Sequence, residues 1–249
     1  MKRGALLLTV IAGLAVFLAV VALYLPASWF SKLLPTQMRC ADLGGSIWHG
    51  ECLGLAIENR RFGDATWNFA PGSALSGRLH GDVDVGGSAL SARADFDTTF
   101  HGVGELRNVV AHFPIDPAVF ADAPADKRGN ISADLKRVVI GNAMSVQQLE
   151  GTLELRDLRQ IGARPLELGS YQLVFDGHAA ANGDVIGKLH DLGGPFAVAG
   201  TVTLTPPDSV VVIGFVTGRT AQAESIVREN TIGPPDASGR SEFRFESSF

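Results

Sequence analysis

The sequence predicts a mainly β protein: one long, twisted, curved antiparallel sheet built as a meander, with few short helices, behind a single N-terminal transmembrane helix. Three observations predict it. Gly4 to Leu25 is a run of 22 residues without a charge, directly behind Met1-Lys2-Arg3. After position 50, apolar residues recur mostly at every second position, which is the period of half-buried strands. These runs are short and broken by Gly, Asp, Asn and Pro, so neighbours lie close in sequence and pair most simply as an antiparallel meander with one apolar and one polar face.

The apolar run comes first. At about 1.5 Å of rise per residue it reaches about 33 Å, enough for a hydrocarbon core of roughly 30 Å. A removable secretory signal has a shorter apolar region and ends in a small-x-small site. Here the exit reads Leu23-Tyr24-Leu25-Pro26-Ala27-Ser28, a poor match, so the run is read as a retained anchor. Lys2 and Arg3 on its N-terminal side leave a stub of residues 1–3 in the cytoplasm and send the rest across. The expected division is an anchor at 4–25, a juxtamembrane segment at 26–39 with Tyr24, Trp29 and Phe30 at the water interface, and a periplasmic β-rich domain at 40–249. That domain is large enough to bury a sizeable core.

Two of the 21 Lys and Arg belong to the stub, which leaves 19 against 26 Asp and Glu outside. An acidic domain without a basic run is a poor partner for nucleic acid, which is set aside. Cys40 and Cys52 are the only cysteines. An even count in an exported domain favours a disulfide, and Gly44-Gly45 and Gly50 offer turns that fold the intervening segment into a hairpin. Free thiols and a metal site are the alternatives, but two cysteines and one nearby histidine make no recognised zinc spacing.

The candidate strands run Cys52 to Glu58, Ala65 to Phe69, Leu75 to Val85, Ala89 to Thr98, Gly102 to His112, Gly129 to Ile140, Ser145 to Leu158, Leu168 to His178, Val185 to Leu189, Phe196 to Thr205, Val210 to Thr217 and Ser241 to Phe249. Helical signals are few: a short interfacial helix over Pro26 to Leu34, a turn opened by Asp116-Pro117 through Phe120, and a helix over Thr220 to Glu229. The Pro-, Ala- and Asp-rich stretch from Asp116 to Arg128 is read as a connector inside one sheet.

Catalytic constellations are not found: no G-x-S-x-G, no H-E-x-x-H and no Walker loop. Asp82-Val83-Asp84 lacks calcium-loop spacing and reads as a solvated strand face. Asp95 and Asp97 share a strand face, but nothing gives them the split environments that paired acid and base carboxylates need. The six histidines are dispersed without metal spacing. No catalytic residue, cofactor or metal is expected. The most distinctive segment of the exported part is Gly45-Ser46-Ile47-Trp48-His49-Gly50, where Trp48 either plugs one end of the sheet or contacts a partner.

The order of motifs resembles a known family. An anchor is followed by G-x-I-W-x-G at Gly45 to Gly50, then by Leu75-Ser76-Gly77-Arg78-Leu79 and by Gly104-Glu105-Leu106-Arg107-Asn108-Val109. Later come Gly151-Thr152-Leu153-Glu154-Leu155, Leu189-His190-Asp191-Leu192-Gly193-Gly194-Pro195-Phe196, and a tail from Ile232 to Arg240 closing on a final strand. This succession resembles the N protein of the type II secretion system, a Gram-negative inner-membrane accessory component with a periplasmic domain. The resemblance covers essentially the whole chain. It implies a role in export of folded proteins, with the secretin and the inner-membrane platform as partners, and it carries over no catalytic residues.

Two further expectations follow. Ser241 to Phe249 places Phe243 and Phe245 between charged neighbours; at a sheet edge it would offer backbone for strand addition, and if paired internally its aromatics would enter the core. A curved sheet with an apolar inner face would also suit a periplasmic lipid-binding groove beside the inner-membrane lipid, since burying apolar surface is worth about 25 cal/mol per Å² whether side chains or a lipid fill it.

Overall fold

Period-two alternation builds a single 14-stranded antiparallel sheet. The computed structural model describes residues 13, 14, 17, 20, 21, 23–32, 38–57, 60–87, 90–99, 104–117, 124–141, 145–180, 182–206, 209–230 and 234–248. A 3-10 helix at Ala27–Lys32 precedes β1 (Met38–Arg39), β2 (Asp42–Gly45), β3 (His49–Ile57) and β4 (Arg60–Phe69). A single helical turn, α1 (Pro71–Ala74), leads to β5 (Arg78–Gly86), β6 (Ser91–Thr99) and β7 (Gly104–Pro114). The second half runs β8 (Lys127–Ile140), β9 (Val146–Gln160), β10 (Leu166–Ala179), β11 (Val185–Gly193), β12 (Phe196–Thr205) and β13 (Ser209–Gly218), then α2 (Ala221–Asn230) and β14 (Ser241–Ser248).

From β3 onward each strand pairs with its sequence neighbours, as a meander requires, and β1 and β2 both pair with the free side of β3. All twelve expected strands form. Several boundaries are corrected: β3 and β4 begin earlier than expected, at His49 and Arg60, β11 runs on to Gly193, and Leu75 stands in the turn after α1 with its strand beginning at Arg78, because Pro71 opens a helical turn that carries the chain round to β5. The short strands β1 and β2 lacked enough alternation to be read. The connector between β7 and β8 joins strands adjacent in one sheet, as expected; most of its Asp116 to Phe120 turn lies outside the described residues.

No helix among the described residues is long and apolar enough to cross a membrane. Most of Gly4 to Leu25 lies outside the described residues; Gly13, Leu14, Phe17, Val20, Val21 and Leu23 within it are helical.

One face is apolar from end to end. Cys52, Ala65, Val85, Ala92, Ala111, Ala133, Leu153, Leu173, Leu189, Gly200, Gly214 and Phe243 stand directly opposite one another from strand to strand. The opposite face carries the charges: Arg78 pairs with Asp97, Arg93 with Asp84, Glu105 with Arg107 and Arg137, and Glu154 with Arg156.

The sheet curls around its apolar face. One cavity of about 540 Å³ is lined by Ile131 of β8, Phe243 of β14 and residues of every strand between. Six steps of about 4.8 Å would hold those two strands about 29 Å apart in a flat sheet. In the first half, Arg60 at the start of β4 reaches past β5 and β6 to donate to the Pro117 carbonyl at 2.8 Å. Bulges supply the bend. The register slips between Asp95 and Arg93 of β6 opposite Asn108, which stands at φ 50, and Gly151 at φ 134 lies where a Cβ would meet the Asp134 carbonyl oxygen at 2.3 Å.

Packing concentrates at three places. Val138, Leu149, Phe175 and Val185 form the middle core. Cys52, Leu55 and Ala65 form the N-terminal cluster. At the C-terminal end α2 lays Ala223 and Val227 on Phe196, with the Thr220 hydroxyl accepting the Ala223 N–H at 3.1 Å as its cap.

Candidate functional site

The functional features lie at the two ends of the apolar face and along the last strand. At the N-terminal end the chain leaves the apolar run and docks at once on the sheet. The Leu25 carbonyl accepts the Ile47 N–H at 3.0 Å, Pro26 forms a bridge with Ser46, and Ala27 is 2% exposed. The turn between β2 and β3 is therefore pinned to the exit of the run. Cys40 and Cys52 form the expected disulfide, which fastens the link between β1 and β2 to β3.

The G-x-I-W-x-G segment is a seat for an aromatic ring on the next strand. Trp67 Nε1 donates to the Ile47 carbonyl at 3.1 Å. Its ring lies over Gly50, where a Cβ would come within 2.3 Å of Cζ2. Gly45, at φ 75, makes the turn. Trp48 is half-buried, and with Trp67 it lines an apolar cavity of about 570 Å³ bounded by Ala27, Leu43, Cys52, Leu55, Ala65 and Val85. The residue is thus part of the wall of this cavity.

At the far end a polar latch holds the hairpin between β11 and β12. Asp191 accepts the N–H groups of Gly193 and Val198, each at 3.2 Å, and pairs with Arg219 at 2.7 Å. Burial pushes its carboxyl up, but Arg219 and the two N–H groups outweigh that and hold it below the usual carboxylate range. Arg219 also donates to the Gly194 carbonyl at 3.2 Å. Tyr171, which donates to the Leu168 carbonyl, has its hydroxyl pKa raised by burial and by Asp191. Arg219 joins Asp191 to the Gly194 carbonyl while Asp191 takes two backbone N–H groups of the same hairpin, so the latch fixes a turn.

The carboxylates considered as acid and base have structural partners too. Asp95 accepts from Asn108 Nδ2 at 2.7 Å, and Arg78 holds the Asp97 carboxyl below its usual value. Directly opposite Asp95 stands Asp82, which accepts from Asn68 at 3.3 Å. The described histidines, His49, His80, His112, His178 and His190, are exposed, and His101 lies outside the described residues. No group of three or more His, Cys, Asp or Glu among the described residues has the geometry to hold a metal ion.

The last strand lies at a sheet edge, with β13 as its only partner among the described residues. Phe243 lines the second of the two cavities, that of about 540 Å³ reaching from β8 to β14, whereas Phe245 is 59% exposed. On the opposite face, Ile213 and Phe215 of β13 are each 39% exposed, across from Arg244 and Glu242. The other edge is different: β3 is covered in tandem by β1 and β2, of 2 and 4 residues, with the disulfide between them.

The sequence profile of the type II secretion system (T2SS), protein N, matches residues 36–244. The chain belongs to that family. Membership in the type II secretion system protein N family makes it an accessory component of type II secretion, working in the Gram-negative envelope with other components of the system. The family is not known for catalysis. No match was found among curated proteins or solved structures.

Two features of this family member were not read from sequence. The seating of Trp67 on Gly50 joins residues 17 positions apart whose partnership follows from the register of β3 and β4. Asp191 stood in a quoted motif, but Arg219, which completes its latch, lies in the turn before α2 and follows no fixed spacing.

Proposed function

We propose that the protein is held in the inner membrane by Gly4 to Leu25, with the sheet in the periplasm, and that it serves type II secretion by receiving a strand from the secretin or the inner-membrane platform on β14. The observation that carries this reading is the asymmetry of the two sheet edges. Exposed edges invite pairing, and proteins blunt them with very short strands or by covering them. Here the first edge is blunted in that way, while among the described residues nothing pairs with the outer side of the eight-residue β14, on which Phe245 is exposed. Backbone groups on such an edge supply affinity, and the alternate side chains Phe243 and Phe245 supply selectivity. Glu242, Arg244 and Glu246 on the other face keep the strand soluble until a partner arrives.

The test is photocrosslinking in secreting cells from a benzophenone amino acid at position 245, with position 48 as the comparison. The expected result is a crosslink from 245 to the secretin or a platform subunit. Crosslinks from 245 to neither, in cells where the protein supports export, would overturn the assignment of β14 as the contact.

A further inference from the structure

We propose that the cavity beside Trp48 holds one acyl chain of a membrane phospholipid, which enters from the bilayer where the protein leaves it. This rests on the anchored reading above and adds a ligand to it. The cavity measures about 570 Å³, inside the range of roughly 300–1,000 Å³ usual for small-molecule sites. Its wall is hydrocarbon, indole and disulfide sulfur, contributed among others by Leu43, Trp48, Leu55, Trp67 and Val85.

That wall selects its occupant. A peptide segment brings an N–H and a C=O with every residue, and a wall almost without polar atoms would leave them unpaired. A polar headgroup meets the same penalty. An acyl chain brings no such groups, so its methylenes enter and its headgroup stays at the rim.

Position points the same way. The apolar run of 22 residues ends on this rim, because Leu25 is hydrogen-bonded to Ile47 and Ala27 forms part of the wall. The same end carries large side chains turned outward: Tyr24 is 78%, Trp29 69% and Leu75 93% exposed, Leu75 in the turn between β4 and β5. Tyr and Trp at such places suit the boundary between headgroups and water, and an exposed leucine gains by entering it. From the cavity the apolar floor continues along the cross-strand row through Ala92, Ala111 and Ala133, whose small side chains leave room above the sheet toward the second cavity.

The tryptophans supply the assay, since Trp29, Trp48 and Trp67 are the only three. In the full-length Trp29→Phe protein both remaining indoles line the cavity. Brominated acyl chains quench indole fluorescence on contact, so the protein is placed in dodecyl maltoside micelles doped with dibromostearoyl phosphatidylglycerol. Fluorescence should fall roughly twofold or more relative to unbrominated lipid once lipid exceeds its dissociation constant. Ala65→Phe, which fills the floor, should abolish the quenching while the far-ultraviolet strand signal is kept; if that variant loses the strand signal, Val83→Phe fills the cavity from β5 instead. No quenching in Trp29→Phe, or quenching that both filled variants retain, overturns the proposal. Quenching by free dibromostearate but not by the phospholipid would overturn the phospholipid assignment. Crosslinking from position 245 and export by the filled variants judge the secretion reading separately, because neither depends on fluorescence.

Discussion

Trp67 lies with its ring over the bare Cα of Gly50, and its Nε1 is held by the Ile47 carbonyl at 3.1 Å. One glycine thus lets a large ring on β4 close the turn that receives the end of the apolar run. Gly50→Ala would place a methyl where Cζ2 already stands. The expected outcome is a loss of about 1–3 kcal/mol, the usual cost of overpacking, measured by urea denaturation.

The disulfide closes a short loop, its cysteines standing 12 positions apart. Loop-closure entropy assigns a bridge of this span about 3 kcal/mol. The Cys40→Ser, Cys52→Ser double variant should lose about that much in denaturant titration, and dithiothreitol should weaken the wild type but not the double variant.

Asp191 makes stability depend on acid. Its folded pKa is lowered, so the unfolded chain binds the proton more readily and the latch contributes fully above the unfolded value of about 3.9. That contribution falls away as the pH drops through the folded value. Asp191→Asn should cost about 2 kcal/mol at neutral pH, as expected for hydrogen bonds to a charged group, and should flatten the stability curve below about pH 4. Denaturation midpoints taken from pH 7 downward check both.

Asn108 occupies the left-handed region at φ 50 and donates to Asp95 at 2.7 Å. A β-branched side chain there keeps the backbone penalty and loses the donor. Asn108→Val should cost about 2 kcal/mol, whereas Asn108→Gly should cost less because glycine adopts this conformation freely. Thermal unfolding of the pair separates backbone strain from the hydrogen bond.

Phe245 is 59% exposed, so Phe245→Lys should change stability by no more than about 0.5 kcal/mol, as surface substitutions do. A lysine on an edge strand opposes strand addition. Secreted-protein yield in cells and crosslinking from position 246 should both fall.

The alternation along Leu149, Leu153 and Leu155 of β9, or along Phe196, Val198, Val202 and Leu204 of β12, was legible because a strand turns successive side chains to opposite faces. The Cys40–Cys52 pair was legible from parity and export, and the order of Gly-centred motifs carried the family. Which residues meet across strands was much less so. Trp67 needs the β3–β4 register to find Gly50, Asp191 needs the β12–β13 register, which sets the end of β13 beside the β11–β12 hairpin, to find Arg219, and Leu75 was assigned to a strand because its neighbours alternate while Pro71 decides the turn.

By itself the sequence determined the strands, the apolar face, the disulfide and the family, because each is written in local periodicity, in parity or in the order of motifs. Only the tertiary structure decided that the apolar face curls over two cavities, and that among the described residues β14 ends the sheet as an open edge. The physical reason is that curvature accumulates from the twist and bulges of many strand pairs, such as those at Asn108 and Gly151. No single segment encodes that sum, and an edge exists only relative to the strands that fail to cover it.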